Sequence, residues 1–316
     1  MNYIGGFFEL ETKARSHYHA KAIRLNTARN CLEYLIKSRK YKKIFLPFYH
    51  CDALREPLKK LHIEIEFYSI DEHMDPIFCH KMKYHEAFLY INYFGLKGNT
   101  SRTLAGIIGS QLIIDNAQAF FEQPIENIDT FYSPRKFLGV PDGAYLYTEV
   151  KLDEFLPSDV SYDRMTHLVK RLDCRSPEDA YQDFLVNEKN LSSQPIRTMS
   201  KLTSRLLASI DYEHIKKIRK ENYSFFVDNL GSKNKFDFGS SSEYPMAYPF
   251  MSDRLDLREK FLANKIFVAS YWPNVLTDCS TDSLEYDFAA RIIPLPIDQR
   301  YRPSELSRIM RIINEN

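Results

Sequence analysis

The hydrophobic positions of the first half of this chain fall in short, tight runs. Residues 43–47 (KIFLP), 87–93 (AFLYINY) and 112–115 (LIID) read as strands, and 63–68 (IEIEFY) alternates with a period of two. Residues 22–25, 128–132 and 144–148 are further strand candidates. Between these runs, Cys31, Leu32, Leu35 and Ile36 recur at helical spacing over 28–40, behind an N-cap at Asn26-Thr27. Helices are also expected from Asp52 to about residue 61 and over 100–109. Strands alternating with helices predict βα units and a mostly parallel sheet. Ligands of such sheets gather outside the carboxyl ends of the strands.

The texture changes after residue 150. Residues 151–230 read as largely helical and charged, interrupted at 190–195, with 202–230 as one long helical pattern. A loop is expected over 231–243, then a helix at 254–264, a strand at 266–270 and a loop with Trp272-Pro273. A strand at 291–294 and a last helix from Ser304 complete the pattern. The expected architecture is α/β: a central, mostly parallel sheet flanked by helices in a large domain over 1–205. A linking helix and a smaller C-terminal α+β domain follow over 206–316.

Length and composition narrow the classes. The chain has 316 residues, 44% of them hydrophobic, which is enough for a substantial core. Its net charge of +1 supports neither a nucleic-acid nor a membrane-surface partner. Glycine is scarce at 10, and neither GxGxxG nor GxxxxGK[ST] occurs. The five cysteines, at 31, 51, 79, 174 and 279, are scattered, odd in number and without CxxC. They read as reduced thiols, each a small buried hydrophobe, in a cytoplasmic protein. The N-terminus lacks a signal-peptide core, and no apolar run approaches the ~20 residues needed to span a bilayer. His50, His62, His73, His80 and His85 have no metal-ligand spacing, and there is no GxSxG, so neither a metal site nor a serine hydrolase is expected.

The chemistry concentrates in residues 111–148, QLIIDNAQAFFEQPIENIDTFYSPRKFLGVPDGAYLYT. One apolar run delivers Asp115, then Ala117 and Gln118. The next delivers Ser133 and Lys136, the lysine held in a turn with Gly139, Pro141 and Gly143. A carboxylate at one strand end and a lysine after another is what a pyridoxal 5′-phosphate (PLP) site requires: the lysine bonds the cofactor, and the acid keeps the pyridine nitrogen protonated. An amine nucleophile must also lose its proton, which a cationic neighbour such as Arg135 or partial burial favours. Upstream, a helix starting at Thr27 directly after a strand offers free backbone N–H groups to a phosphate. Each residue has an ordinary alternative: Asp115 as a cap, Gln118 as surface filler, Ser133 as a turn former, Lys136 as a solvated cation.

The stretches LIIDNAQAFF and IDTFYSPRKFLGVPDGAYLYT resemble the PLP-binding core of the DegT/StrS-type sugar aminotransferases, members of fold type I, the aspartate aminotransferase fold. NTARNCLEYLI resembles that family's SGT helix start, and KIFLPFYHCDALREPLKKLHIEIEFYSID and FLYINYFG resemble its next strands. The likeness covers about residues 22–150 well and the remainder loosely. It implies that Lys136 bonds the cofactor and shuttles the proton. Asp115 then faces the pyridine nitrogen, Gln118 contacts the phenolic oxygen, and Ala117 packs on the ring. The backbone at Thr27, Ala28 and Arg29 holds the phosphate, with Ser133 helping. The aromatic that stacks on the ring in many members falls at Cys51 in gapless register and at His50 or Tyr49 after a shift of one or two, with His50 taken as the candidate. Where the family has SGT this chain has NTA, and of the family's NYR motif only the neighbourhood of Arg197 is similar. On analogy alone, Arg291 is a candidate for a substrate carboxylate. The resemblance implies transfer of an amino group, with glutamate as donor, to a keto sugar on a nucleotide in cell-surface polysaccharide or sugar biosynthesis, by a homodimer. The alternatives are a PLP-dependent lyase or dehydratase, or a non-catalytic binding protein on the same scaffold.

Overall fold

The computed structural model describes residues 4–13, 15–78, 81–174, 176–236 and 244–315. Cys79, His80 and residues 237–243 of the expected loop lie outside the described residues. Among the described residues, eight strands form one sheet: β1 (Ile23–Leu25), β2 (Lys43–Pro47), β3 (Glu64–Ile70), β4 (Pro76–Ile77), β5 (Glu86–Ile91), β6 (Leu112–Asp115), β7 (Asp129–Tyr132) and β8 (Ala144–Tyr147). Their order is β1-β8-β7-β6-β5-β2-β3-β4. The run β7-β6-β5-β2-β3 is parallel, while β8 lies antiparallel to both of its neighbours and β4 antiparallel to β3. Every residue of β6 and β7 is buried, as befits parallel strands covered on both faces.

The crossovers are α1 (Ala28–Arg39), α2 (Arg55–Lys60) and α3 (Gly98–Ile108). From β2 the chain passes to β3 on one side, and from β5 to β6 on the other. The direction of winding therefore reverses between β2 and β5, opening a crevice at the carboxyl ends of the strands. The free edge of β1 is covered by an extended segment: Asn26 N–H donates to the Arg197 carbonyl (3.0 Å) and Met199 N–H to that of Arg24 (3.1 Å). An exposed row of unpaired backbone groups is thereby avoided.

Four helices follow: α4 (Thr166–Asp173), α5 (Tyr181–Leu191), α6 (Lys201–Ala208) and α7 (Tyr212–Leu230). The C-terminal part comprises β9 (Ala247–Phe250), α8 (Leu257–Ala263), α9 (Val275–Asp278), α10 (Leu284–Arg291), β10 (Ile293–Pro296) and α11 (Pro303–Asn314). Strands β9 and β10 pair antiparallel, and a second buried cluster of Phe226, Leu230, Phe250, Leu257, Leu295 and Ile309 packs against them. Helix α7 belongs to both cores, since Ile215 lies in the first and Phe226 in the second.

Three expectations are corrected. The single helix over 202–230 is two, because the Asp211 carboxylate accepts the His214 N–H and caps a new start. Residues 266–270 are not a strand: Arg258 takes the Ala269 carbonyl (3.0 Å), and Ile266 N–H returns to Phe261 (2.8 Å). The largely helical reading of 151–230 fails over 151–161, where no helix forms. Strand β9 was not expected, since Pro249 and its cross-strand partner Pro294 both lack a ladder donor.

One cation joins the C-terminal part to the sheet. Arg219 of α7 is 1% exposed, donates to the carbonyls of Pro245 (3.0 Å) and Met246 (3.1 Å), and lies 4.5 Å from the Phe137 ring centroid. Burial pushes its guanidinium down to about 10, so it stays charged at neutral pH. Arg219→Met keeps the bulk but strands two buried carbonyls. It is expected to lower stability by about 2–4 kcal/mol, read as a fall in the urea midpoint.

Candidate active site

Three asparagines each follow the last residue of a strand and fix the floor of the crevice. Asn26, Asn92 and Asn116 are at most 2% exposed. Asn92 Nδ2 donates to Asn116 Oδ1 (3.1 Å), its own N–H to the Asp115 carbonyl (3.1 Å), and Asn116 N–H to the Phe131 carbonyl (2.8 Å). The ends of β5, β6 and β7 are thus stitched together where the chain leaves the ladder. Sequence reasoning singled out Asn26 only as part of a helix cap and passed over Asn92 and Asn116, although an asparagine directly after each of three strands was a visible signal.

Asp115 closes β6. Its carboxylate is buried and accepts the Ala117 N–H at 2.8 Å. Loss of solvent raises its pKa to about 6, while the Lys136 charge and the Ala117 N–H pull the other way. The fold therefore brings Asp115 and Lys136 into one electrostatic neighbourhood. Ala117 is buried too. Gln118 is held by one end: its Oε1 accepts the Phe94 N–H (2.6 Å), while its Nε2 is buried with no hydrogen-bond partner. The β5 turn comes this close because Phe94 (φ 55°) and Gly95 (φ 77°) are both left-handed. A Cβ at Gly95 would stand 2.7 Å from the Gln118 carbonyl oxygen, so glycine is required there.

Lys136 ends a short turn, Pro134–Lys136, capped by the buried Ser133, whose hydroxyl makes no capping bond. The lysine is exposed, and its Nζ stands 5.7 Å from the ring centroid of Tyr271. Arg135 turns inward to pair with Glu188. Burial first, then the charge of Arg29, brings its guanidinium down to about 10.

Thr27 is the N-cap of α1, its Oγ1 accepting the Asn30 N–H (3.2 Å). The N–H groups of Ala28 and Arg29 in the first turn have no carbonyl one turn back to meet, which leaves an anion-friendly helix start. Asn26 anchors that start. Its carbonyl accepts Gly143 N–H (2.6 Å), its Oδ1 accepts Asn30 Nδ2 (2.8 Å), and its Nδ2 donates to the Pro195 carbonyl (3.1 Å). The Arg29 side chain points to Glu56, 3.5 Å away.

The 49–51 stretch does not provide the expected ring face. His50 has no exposed surface; its ring stacks on Phe67 (centroids 5.7 Å apart) and its Nε2 accepts from Arg55 Nε (2.7 Å). Burial and the Arg55 charge lower its pKa to about 4. Tyr49 is equally buried and donates its hydroxyl to the Tyr271 carbonyl (2.7 Å). Of the three, only Cys51 keeps accessible surface. Arg291 is held by Asp287 (3.3 Å) and Asp253 (3.2 Å) on its own side of the molecule, so its charge is already matched. Among the described residues, no three His, Cys, Asp or Glu side chains converge as metal ligands, and no helix is long and apolar enough to cross a membrane.

No family model matches the chain, and no curated protein matches it in sequence. Solved structures do match in shape. DesV of S. venezuelae, in complex with a ketimine intermediate, is 14% identical with a TM-score of 0.65, over 92% of this chain and 83% of that one. NtdA from Bacillus subtilis, with bound cofactor PMP, is 12% identical with a TM-score of 0.65, over 93% and 73%. The E. coli GDP-4-keto-6-deoxy-D-mannose-3-dehydratase, with bound hydrated PLP, is 13% identical with a TM-score of 0.60, over 93% and 87%. The fold is the fold type I architecture that these structures share.

The raised Asp115 pKa has a thermodynamic signature. The folded protein holds this proton more tightly than the unfolded chain, whose value is 3.8, so the contribution is fully present below about pH 4 and lost as pH rises through about 6. Asp115→Asn keeps an oxygen for the Ala117 N–H and removes the ionisation. In cofactor-free protein it is expected to be more stable than wild type by about 2–3 kcal/mol near pH 7 and equal to it below about pH 4. Denaturant titrations at a series of pH values check this.

Proposed function

We propose that this chain is a PLP-dependent aminotransferase. It moves an amino group from an amino acid, with glutamate as the donor, to the carbonyl of a nucleotide-linked keto sugar in cell-surface polysaccharide or sugar biosynthesis. The observation that carries the reading is the buried Asp115 carboxylate beside the Lys136 amine at the ends of two adjacent strands. The residues fit the cofactor. A desolvated carboxylate suits a pyridinium nitrogen, the unpartnered Gln118 Nε2 suits a phenolic oxygen, and the α1 start with Ser133 suits a phosphate.

When bound, PLP supplies an electron sink for a carbanion at the amino acid's α-carbon. Asp115 would hold the proton on the pyridine nitrogen and so preserve that sink. Gln118, fixed at Oε1 by the Phe94 N–H, would donate from Nε2 to the phenolic oxygen. Thr27 caps the first turn of α1, where the Ala28 and Arg29 N–H groups with the Ser133 hydroxyl would bind the phosphate. Lys136 Nζ would hold the cofactor, and its free amine would serve as the base that takes up the proton of the donor's α-carbon.

The reading includes a cytoplasmic homodimer with a large domain over 1–205 and a smaller one over 206–316. Exposed Val160, Tyr162, Val169, Leu172, Phe184 and Val186 give the surface around α4 and α5 the apolar character that supports a subunit contact. A dehydratase or lyase reaction on the same cofactor is the second reading, favoured by the dehydratase among the similar structures.

An absorption spectrum separates them. Purified protein is expected to be yellow, with a visible band that borohydride abolishes and that glutamate bleaches as the amino group moves to the cofactor. Lys136→Ala is expected to lack the band and to lose at least about 10²–10⁴-fold in turnover. Yellow protein that glutamate leaves unchanged favours the dehydratase; colourless protein after PLP treatment overturns both readings.

A further inference from the structure

The crevice has an aromatic wall, and it comes from the far end of the chain. Tyr271 lies in the irregular segment between α8 and α9. Its ring centroid is 5.7 Å from Lys136 Nζ and 6.1 Å from the Phe94 ring, and its carbonyl accepts the Tyr49 hydroxyl at 2.7 Å. Next to it Trp272 is buried, with its ring 5.0 Å from that of Tyr49. Asn274 Nδ2 donates to the His50 carbonyl (3.2 Å) and completes the anchor. Burial pushes the Tyr271 hydroxyl up to about 12, so it stays protonated. Tyr271 thus touches the loops that leave β2, β5 and β7 at one place, the mouth above Lys136. Tyr49 and His50, the aromatics local to that place, are sealed in the core, and the remaining position is the thiol of Cys51.

We propose that Tyr271 is the ring-stacking residue of the site: its face packs against the pyridine ring of PLP and covers the Lys136 amine, the role expected of the 49–51 stretch. The proposal rests on the PLP reading above. An aromatic face beside a cation and a flat heteroaromatic ring serves both partners, through the ring quadrupole and through stacking. Because the wall is carried by the C-terminal part, ring packing links that part to cofactor retention.

The test is a titration of cofactor-free protein with PLP and, separately, with pyridoxal, followed by absorbance and by quenching of Trp272, the single tryptophan. Tyr271→Leu fills similar space without a π face, and Tyr271→Phe keeps the face. Tyr271→Leu is expected to weaken binding of both ligands about tenfold, and Tyr271→Phe by no more than about twofold. Equal loss for both ligands assigns the effect to the ring, since pyridoxal has no phosphate. Circular dichroism and the urea midpoint establish that each variant is folded, and Tyr271→Phe answers the question if Tyr271→Leu is not. Wild-type protein that takes up no PLP overturns the functional reading and this proposal together. Normal uptake by wild type with unchanged affinity in folded Tyr271→Leu, or a tenfold loss in Tyr271→Phe, overturns the role of Tyr271 alone.

Discussion

A carboxylate placed where water cannot solvate it governs this molecule. Asp115 stands at the buried end of a fully buried strand, with one backbone N–H as its hydrogen-bond donor and a lysine as its nearby charge. Such a group is a cost to the fold unless a cation meets it. The surrounding features follow from keeping that place open and rigid: the asparagine stitching beneath it, the small Ala117 beside it, and the left-handed turn at Phe94 and Gly95 that brings Gln118 under control.

The rest of the chain is arranged to enclose this spot. Arg219 ties α7 to the segment before β9 and to Phe137, just past the lysine turn. Met246 N–H reaches the Phe94 carbonyl at 2.7 Å, and Trp272 packs its ring against Tyr49. The C-terminal part thus contributes Met246, Tyr271 and Trp272 to the same buried core that carries the sheet. The geometry of the crevice depends on a handful of polar bridges between segments distant in sequence, where a small displacement matters most.

Most of the sheet was legible because its strands are short apolar runs bounded by polar or glycine-containing turns. The runs at 43–47 and 112–115 needed no adjustment, and the cap at Thr27 sits where a strand hands over to amphipathic spacing. Asp115, Ala117, Gln118, Ser133 and Lys136 stand out as candidates for the same reason: each lies within a few residues of a strand end. Beyond residue 150 local pattern lost its power. The apolar residues at 266–270 look like a strand, but a side chain, Arg258, takes the backbone there, which a pattern of apolar positions does not report. The pairing of β9 with β10 was hidden by prolines. His50 read as a site residue because a one-residue shift of the family register places it where an aromatic is expected, whereas Phe67 and Arg55 claim it for the core. Tyr271 carried no signal at all, since its significance comes from who its neighbours are in space.

The covered edge of β1 has a bearing on the order in which the protein takes shape during synthesis. Leu25 pairs with Ala144, and Thr198 bridges to Leu25 from the other side. Asn26, next in line, is held by Gly143 and Arg197. The helix start at Thr27 is synthesised before its partners at Gly143 and Arg197, which follow more than a hundred residues later. Closing loops of that length is slow, and the contacts that reward closure arrive only when both ends are present. The corner of the crevice at the start of α1 is thus written before its partners and assembled after them. A nascent chain halted before Arg197 would carry β2, β5, β6 and β7 with their side chains, while the edge that positions Asn26 and the first turn of α1 stayed open.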